Sequence, residues 1–402
     1  MGNSPNQKRL KICIVGPSKR FLSGISYHTI MLANALSKKH DVSVVLFRKM
    51  VPGFIFPGRE RIGKNLSKVS FTEDVKVFDG VDYASLRSWI SAAKFVKKIQ
   101  PDIVILQWWT TAVAHMELAL KILFTAGGVH SFIIEMHEII DTREEKSSYL
   151  HFYSTITMRS LKVNTKAFIT HSHSDIRAIT TRYKIRENLI HVIPLLPFDQ
   201  YHKIDREKAI KKLNLNPKHF IILYFGLIRP YKGLRYLIEA FNQLPANIAN
   251  NCCLLIVGEI WGGREEIIRA IKTSRYNDKI ISRFEYVPDD AVSQFFSACD
   301  VLVLPYLRAS QSAVAHIGIN FGKQMIISRV GGLEESMSNY EGTIFVTPKN
   351  ANAIKESIIK VYNNKKNVKF ESPVNNWGDI VKMYNELFCS ITLNRETGCE
   401  NR

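Results

Sequence analysis

Long apolar segments are missing from this sequence. No uninterrupted apolar run approaches the roughly eighteen residues of a membrane-spanning helix, and the stretch from Met1 to Leu10 has no apolar signal core. We therefore expect no membrane span and a cytoplasmic chain. Its 46% hydrophobic and 23% charged residues are typical of a folded globular protein, and its 402 residues exceed what one hydrophobic core usually supports. Two domains are expected.

Cysteines in metal-binding or disulfide patterns are also missing. The spacings between the six cysteines match no metal-ligand motif, and most of these residues stand in apolar surroundings. Such cysteines usually pack as small hydrophobic side chains. We expect reduced thiols at Cys13, Cys252, Cys253, Cys299, Cys389 and Cys399.

Acidic residues are few relative to basic ones, since 36 Asp and Glu stand against 55 Lys and Arg, which gives a net charge of +19. A basic surface can contact nucleic acid, anionic lipid headgroups or phosphorylated substrates, and it is often only a solvated face. The sequence contains no helix-turn-helix, zinc-finger or RNA-binding aromatic signature. Nucleic acid is therefore not expected as a partner.

An irregular segment is predicted from Arg48 to Gly80. Its part from Arg48 to Lys68 mixes cations with apolar residues, which is typical of an interfacial lipid contact. The alternative is a flexible surface loop that folds a few apolar residues beneath itself. The first interpretation predicts an anionic membrane surface as a partner.

A dinucleotide-binding fingerprint is missing from the first predicted strand-to-helix turn. Residues 10–16 predict a strand that ends at Gly16, and Gly24 stands just before a predicted helix. Only one glycine of a G-x-G-x-x-G pattern is present, which argues against a dehydrogenase.

Histidines follow two predicted strands in the first half. His137 comes directly after the apolar strand 131–136, at the sheet edge where ligands bind in open α/β folds, so a functional role is favoured over a core role. His171 and His173 follow the strand 167–170, but no third ligand has a recognisable spacing. No metal site is predicted.

The stretch that organises the second half is a strand, a glycine turn, two cations and a helix. Residues 220–225 form an apolar run of strand length that Gly226 ends, and helical periodicity begins at Leu234. Arg229 and Lys232 lie in the turn between them. Free N–H groups and the positive end of a helix dipole bind anions at such turns. We predict a diphosphate clamp, and the alternative is a solvated basic loop.

Strands and helices alternate through both halves, which predicts an α/β fold. In the second half the predicted strands are residues 220–225, 252–258, 281–286, 301–304 and 325–327. A proline-bounded segment from Pro194 to about Tyr201 separates the halves.

Five segments of the second half, in this order along the chain, resemble glycosyltransferase family 4: residues 225–233, 256–259, 284–288, 298–306 and 321–335. The resemblance implies a GT-B fold, in which two Rossmann-like doubly wound domains face each other across a cleft. Residues 1–198 would form the acceptor-side domain and residues 199–372 the domain that binds a nucleotide sugar. Residues 373–402 would form a helix that crosses back to the first domain, and a tail.

The resemblance also implies roles for individual residues. Arg229 and Lys232 would neutralise the diphosphate of a nucleoside diphosphate sugar, and His137 would lie beside the transferred sugar. The other donor-binding positions it implies are Gly24, Gly226, Gly258, Glu285, Tyr286, Val287, Pro288, Gln311, Ser312, Ala313 and Val314.

The sequence departs from the family at two positions. Family members usually carry two glutamates eight positions apart, and ungapped placement puts these positions at Ala309 and Ile317. Gln311 can replace a carboxylate in hydrogen bonds to sugar hydroxyls, but ribose contact through a carboxylate is lost.

The reaction implied is transfer of a hexosyl group, with retention, from the donor to a hydroxyl of a lipid-linked or glycan acceptor. It uses no protein nucleophile, no cofactor and no metal. The acidic pair Asp289 and Asp290 begins a predicted helix, where aspartate is a common capping residue, so it is not taken as a metal site. The alternatives are a noncatalytic sugar-nucleotide-binding or scaffold protein and a nucleotide-sugar epimerase.

Overall fold

The computed structural model describes residues 9–21, 24–51, 69–109, 111–139, 147–195, 198, 200–364, 370–371 and 377–396. The chain forms two compact units. Unit 1 consists of Met1–Leu196 and Asn375–Arg402, and unit 2 consists of Pro197–Val374.

Unit 1 contains a parallel sheet of seven strands. The strands are β1 (Lys11–Pro17), β2 (Asp41–Lys49), β3 (Lys76–Asp82), β4 (Ile103–Trp108), β5 (Phe132–Met136), β6 (Thr165–Thr170) and β7 (Ile190–Val192). Their order in the sheet is β3-β2-β1-β4-β5-β6-β7. The helices between them are α1 (Gly24–Ser37), α2 (Leu86–Ile99), α3 (Ala114–Ala126), α4 (Ser148–Leu161) and α5 (Ile176–Tyr183).

The central strands of this sheet are apolar on both faces. Every residue of β4 and β5 is buried, and the side chains of the sheet alternate between two separate hydrophobic clusters. Val104 and Leu106 pack in one cluster, while Ile103 and Ile105 pack in the other. A strand covered by helices on both faces therefore reads as a continuous apolar run.

Unit 2 contains a parallel sheet of six strands. The first helix is α6 (Arg206–Leu213), and the strands are β8 (Phe220–Phe225), β9 (Cys252–Val257), β10 (Ile280–Arg283), β11 (Val301–Leu304), β12 (Gln324–Ser328) and β13 (Thr343–Val346). The remaining helices are α7 (Leu234–Asn242), α8 (Ala246–Ala249), α9 (Arg264–Lys272), α10 (Asp289–Ala298), α11 (Ala313–Asn320), α12 (Gly331–Met337) and α13 (Ala351–Asn363). The sheet order is β10-β9-β8-β11-β12-β13.

Both sheets reverse their strand order beside their first strand. The reversal falls between β1 and β4 in unit 1 and between β8 and β11 in unit 2. Connections on the two sides of such a switch point leave in opposite directions, which opens a crevice at the carboxyl ends of the strands. The predicted α/β fold with two doubly wound sheets is confirmed.

The last described helix, α14 (Trp377–Glu396), belongs to unit 1. Its apolar face is buried in the cluster that contains Ile12 and Ile14 of β1, and consists of Ile380, Val381, Tyr384, Leu387 and Phe388. Among the described residues, no helix is both long enough and apolar enough to cross a membrane.

Some predicted boundaries are wrong. Residues 48–80 are not irregular throughout, because β2 continues to Lys49 and β3 begins at Lys76, where it pairs with β2 as an edge strand. The strand predicted over residues 281–286 ends at Arg283. The basic part predicted as a membrane contact falls almost wholly on residues 52–68, which lie outside the described residues. The five cysteines among the described residues form no disulfide bond, and Cys399 also lies outside the described residues.

Candidate active site

The switch point of unit 2 brings the two loops after β8 and β11 into contact. The backbone N–H of Leu307 donates a hydrogen bond of 2.8 Å to the carbonyl of Tyr231. The Nζ atom of Lys232 lies 5.2 Å from the centre of the Tyr306 ring, and it would lie only 3.6 Å from a Cβ atom at Gly226. Lys232 therefore stands over the end of β8, between the two loops.

Arg229 is held by the loop that follows β9. Its guanidinium stacks on the indole of Trp261 at 4.8 Å, and the N–H of Trp261 donates to the carbonyl of Ile228 at 2.8 Å. The side chain is half-buried. Within the described part of the chain, Arg229 has no carboxylate partner. An oriented guanidinium without a counter-ion is suited to bind an anionic group.

Two glycines, Gly226 and Gly258, allow the backbone segments after β8 and β9 to lie in contact. Gly226 has a φ of +105°, in the region that favours glycine, and Gly258 has a φ of +139°. A Cβ atom at Gly258 would lie 2.0 Å from the carbonyl oxygen of Gly226. The ends of β8 and β9 can approach this closely only because neither residue has a side chain.

The implied donor-binding positions 311–314 form the start of α11 and the residues just before it. Ser312 is the N-cap of that helix, and its Oγ accepts a hydrogen bond of 3.3 Å from the N–H of Ala315. The hydroxyls of Tyr306 and Ser312 lie 3.5 Å apart. A Cβ at Gly226 would lie 3.1 Å from a methyl group of Val314. The first turn of α11 therefore lies next to Gly226, on the same side as Lys232.

Four of the donor-binding positions that the resemblance implies, residues 285–288, follow β10. Glu285 is exposed, whereas Tyr286, Val287 and Pro288 are half-buried. The N–H of Gly258 donates to the carbonyl of Arg283 at 2.9 Å, which joins this segment to the end of β9. The segment thus borders the same carboxyl edge of the sheet as Gly226 and Gly258.

Asp289 begins α10 directly behind this segment, as predicted for the acidic pair. Burial raises the pKa of Asp289 to about 7, and the neighbouring Asp290 adds to the effect. The hydroxyl of Tyr201 donates a hydrogen bond of 3.2 Å to its carboxyl group.

The two positions where the family carries glutamates have different surroundings here. Ile317 is buried in α11 and is 5% exposed. The carbonyl oxygen of Ala309 would lie 2.5 Å from a Cβ at Gly331, the first residue of α12. Ile317 therefore packs in the core of unit 2.

In unit 1 the predicted residues are Gly24 and His137. Gly24 is exposed and begins α1, and residues 22–23 before it lie outside the described residues. His137 follows β5 as predicted, and its side chain is 5% exposed. Its Nδ1 atom lies 3.0 Å from Nε2 of His171, and its Nε2 atom lies 3.6 Å from Oε2 of Glu135. Both ring nitrogens therefore face the interior of the unit.

Glu135 is the centre of a buried polar cluster that sequence reasoning missed. His28 Nε2 lies 2.9 Å from Oε1, and the Gln107 amide donates a hydrogen bond of 2.9 Å to Oε2. The hydroxyl of Tyr384, on α14, also donates to Oε1. A charged residue inside an otherwise apolar strand was the signal in the sequence that could have identified this cluster.

Burial and charge act in opposite directions on this cluster. Burial alone raises the pKa of Glu135, but the nearby His28 and His137 outweigh it and hold this pKa well below its usual value. Burial lowers the pKa of His137, although Glu135 opposes the shift. Burial and the neighbouring His137 lower the pKa of His171 to about 4. The carboxylate is thus ionised at neutral pH, while His137 and His171 are held in their neutral forms.

The pair His171 and His173 does not act together. His171 contacts His137, whereas His173 is exposed. The partners of His171 come from other elements, which is why spacing along the chain did not indicate them.

Two solved structures illustrate the fold to which this chain is similar. Sucrose-phosphate synthase from Thermosynechococcus elongatus has a TM-score of 0.70 at 16% identity, over 96% of this chain and 100% of that chain. The Anabaena protein HepE in complex with UDP-glucose has a TM-score of 0.66 at 15% identity, over 96% and 100% of the two chains. The chain therefore has the GT-B fold.

Two families match consecutive parts of the chain. The family described as Glycosyltransferase Family 4 matches residues 22–195, and the family described as Glycosyl transferases group 1 matches residues 205–377. The chain belongs to the family 4, group 1 type of glycosyltransferases.

A curated relative, the D-inositol 3-phosphate glycosyltransferase of Pseudarthrobacter chlorophenolicus, is 21% identical over 265 residues. This alignment covers 63% of the chain and 61% of the relative. The matched region thus spans less than two thirds of that protein.

Proposed function

We propose that this protein is a retaining glycosyltransferase that moves a hexosyl group from a nucleoside diphosphate sugar to a hydroxyl of a lipid-linked or glycan acceptor. The observation that carries the proposal is the arrangement around Gly226, where Lys232 and the start of α11 lie together and Arg229 stands in the same loop. This arrangement supports binding of the donor by unit 2.

The charge of these groups suits the chemistry of the leaving group. When the bond between the anomeric carbon and the phosphate oxygen breaks, negative charge accumulates on the diphosphate. Fixed cations and helix N-terminal dipoles stabilise that charge more in the transition state than in the ground state. Arg229 and Lys232 supply this charge, so the proposed reaction needs no metal ion at the diphosphate. In the proposed retaining reaction, the acceptor hydroxyl attacks the anomeric carbon from the same face that the diphosphate leaves. The family resemblance supports this course.

Donor identity can be tested with a binding screen. Thermal unfolding is measured with UDP-, GDP- and ADP-sugars, because a ligand that binds the folded state raises the melting temperature by mass action. We expect one nucleotide to stand out, and the matching donor to release its nucleoside diphosphate slowly without an acceptor. A chain that is stabilised by none of these donors would contradict the proposal.

A noncatalytic sugar-nucleotide-binding protein is the second candidate. The observation that favours it is the absence of carboxylates at Ala309 and Ile317, the latter buried in the core. This candidate predicts tight binding of a donor with no turnover for any acceptor. An epimerase would instead interconvert the donor sugar without an acceptor, so product analysis of the same incubations separates the three.

We further propose that the protein acts in the cytoplasm, at the inner face of the cell membrane. The support is the basic and apolar composition of Arg48 to Lys68. In liposome flotation, we expect recovery with vesicles that contain anionic lipid and little recovery with neutral vesicles. Equal recovery with both would contradict the electrostatic part of this proposal.

A further inference from the structure

Helix α4 of unit 1 carries large apolar side chains on its outer face. Tyr149 is 75% exposed and Phe152 is 64% exposed, and Ile156 is exposed as well. Their spacing of three and four residues places them on one face of the helix. Val163, just beyond the end of the helix, is also exposed. These four side chains are called the α4 ridge below.

The buried face of α4 contains small polar side chains where large apolar ones are expected. Its buried residues are Ser154, Thr157, Met158 and Leu161. The hydroxyls of Ser154 and Thr157 donate to backbone carbonyls of the same helix. A surface helix normally buries its large apolar residues and exposes polar ones. In α4 this pattern is partly reversed, so the packing of unit 1 does not explain the α4 ridge.

Three side chains hold α4 in place. Ser147 caps its N-terminus by accepting the N–H of the third residue of the helix. At the other end, the buried Lys121 of α3 donates a hydrogen bond of 2.6 Å to the carbonyl of Val163. Lys162 donates one of 3.0 Å to the carbonyl of Lys184, at the end of α5. The helix is thus fixed at both ends, which reduces the conformational entropy that binding through the α4 ridge would cost.

Among the described residues, the charged side chains next to the α4 ridge are positive. Arg159 is exposed and lies three residues after Ile156 on the same face, and Lys162 follows the last residue of the helix. No Asp or Glu occurs from Ser147 to Ser174. The acidic residue of the neighbouring helix α3, Glu117, is buried. The surface around the ridge is therefore both apolar and basic.

This combination matches the surface of an anionic lipid bilayer. Amphipathic helices of this kind lie in the plane of a membrane, with apolar side chains among the upper acyl chains and cations beside the phosphate groups. With 14 residues, α4 is too short to span a bilayer. A second copy of the chain matches less well, because Arg159 and Lys162 of both copies would meet in a symmetric contact.

We propose that the α4 ridge is a membrane-docking surface that inserts into the headgroup region of an anionic bilayer. The proposal rests on the proposed location at the inner face of the membrane, but it uses a surface other than Arg48–Lys68. It brings unit 1, the implied acceptor-side unit, to the bilayer that would hold a lipid-linked acceptor. Docking does not require sugar transfer, so the two are tested separately.

The test measures flotation of the full-length chain with vesicles of phosphatidylcholine and phosphatidylglycerol, and with vesicles of phosphatidylcholine alone. Phe152→Gln and Ile156→Gln should each weaken binding to the anionic vesicles about 10-fold, because an apolar side chain is lost from the bilayer. Arg159→Gln should weaken binding to the anionic vesicles only. Leu393→Gln is the matched control. That side chain is 58% exposed on α14, which packs on the opposite face of the sheet, and its variant should bind as the unchanged chain does.

A second measurement locates the lipid on the chain. Vesicles that carry a photoactivatable group on an acyl chain are irradiated with the unchanged chain, and cross-linked peptides are identified by mass spectrometry. We expect cross-links within residues 148–163. Cross-links confined to other residues would overturn the proposal, and so would a homodimer that keeps the α4 ridge covered when vesicles are present.

The outcomes separate this proposal from the earlier ones. Flotation that Phe152→Gln and Ile156→Gln leave as strong as Leu393→Gln does would overturn docking by α4 and keep the membrane location. No flotation with either type of vesicle would overturn both. Nucleoside diphosphate release is measured without vesicles, so a failure of sugar transfer is recorded independently of docking.

Discussion

The two switch points of this molecule have the same strand order but opposite electrostatic character. In unit 2, the loop after β8 carries the half-buried cations Arg229 and Lys232, and Lys232 lies beside Gly226 and the Tyr306 ring. In unit 1, the corresponding region holds the ionised Glu135 among histidines. The strand order sets where a site can form, while a few side chains at the strand ends decide which charge it can accept. Unit 2 therefore presents positive charge in the loop after its first strand, whereas unit 1 encloses a negative charge.

The largest effect is expected from removing the cations of unit 2. Arg229→Ala and Lys232→Ala should each lower the rate of sugar transfer about 10³-fold, because the leaving diphosphate loses a fixed positive charge. The rate is measured as nucleoside diphosphate release. Arg235→Ala is the control, since that side chain lies exposed on α7 and pairs with Glu266 at 3.4 Å. Equal losses of rate in the three variants would show that Arg229 and Lys232 contribute no more than an exposed surface cation does.

The next largest effect is expected from removing the negative charge of Glu135 in unit 1. Glu135→Gln should destabilise the protein by about 3 kcal/mol, because the buried donors around Glu135 lose an ionised acceptor. The free energy of unfolding is measured in urea. Glu266→Gln, an exposed carboxylate in unit 2, should change stability by less than about 0.5 kcal/mol. A loss for Glu135→Gln as small as that for the control would mean that the cluster carries no charge.

A second buried carboxylate in unit 1, Glu117, differs from Glu135 in its hydrogen bonds. Glu135 accepts several hydrogen bonds, whereas Glu117 accepts none from the described residues. Both its oxygens are buried without a hydrogen-bond partner among the described residues, and burial raises its pKa well above the usual value of 4.5. The folded state therefore binds a proton that the unfolded state releases as the pH rises above 4.5. Stability contributed by this proton is lost as the pH rises toward the folded pKa.

Glu117→Gln should remove this dependence. Relative to the unchanged chain, the variant should gain stability by about 1.4 kcal/mol per pH unit above the usual glutamate pKa, until the folded pKa is reached. Melting temperatures from pH 5 to pH 8 check the trend. A difference between the two proteins that stays constant with pH would show that Glu117 is ionised in the folded state.

The smallest loss of stability is expected from Asn385, which follows Tyr384 on α14. Asn385 Oδ1 lies 2.7 Å from His40 Nε2, and both groups are buried. Asn385→Ala should cost about 1–2 kcal/mol, since one neutral hydrogen bond is lost and the imidazole is left unsatisfied. Comparison with Tyr384→Phe, which removes a hydrogen bond to an ionised partner, shows whether charge makes the larger difference. Equal costs would weaken the assignment of charge to Glu135.

The clamp of unit 2 could be predicted because it is local. The strand, Gly226, both cations and the helix that begins at Leu234 follow one another in the sequence, so periodicity and residue type were sufficient. The stacking of Arg229 on Trp261 could not be predicted, because it depends on how two separate loops pack. The edge strand β3 was missed because only one of its residues, Val81, is buried.

The buried polar cluster around Glu135 could not be predicted for a related reason. Its members are scattered along the chain. Glu135 follows His28 by 107 positions, and Tyr384 follows Glu135 by 249 positions. Only the sheet topology brings them together. His137 was correctly placed at the end of a strand, but the direction of its nitrogens depends on these distant partners.

The position of α14 has a consequence for how the molecule is made. Unit 2 is one continuous segment, whereas unit 1 begins before it and receives α14 only after it. Every residue of unit 2 is therefore synthesised before the final helix of unit 1. During that interval the apolar surface of β1 that α14 later covers stays open to chaperones or to misassembly.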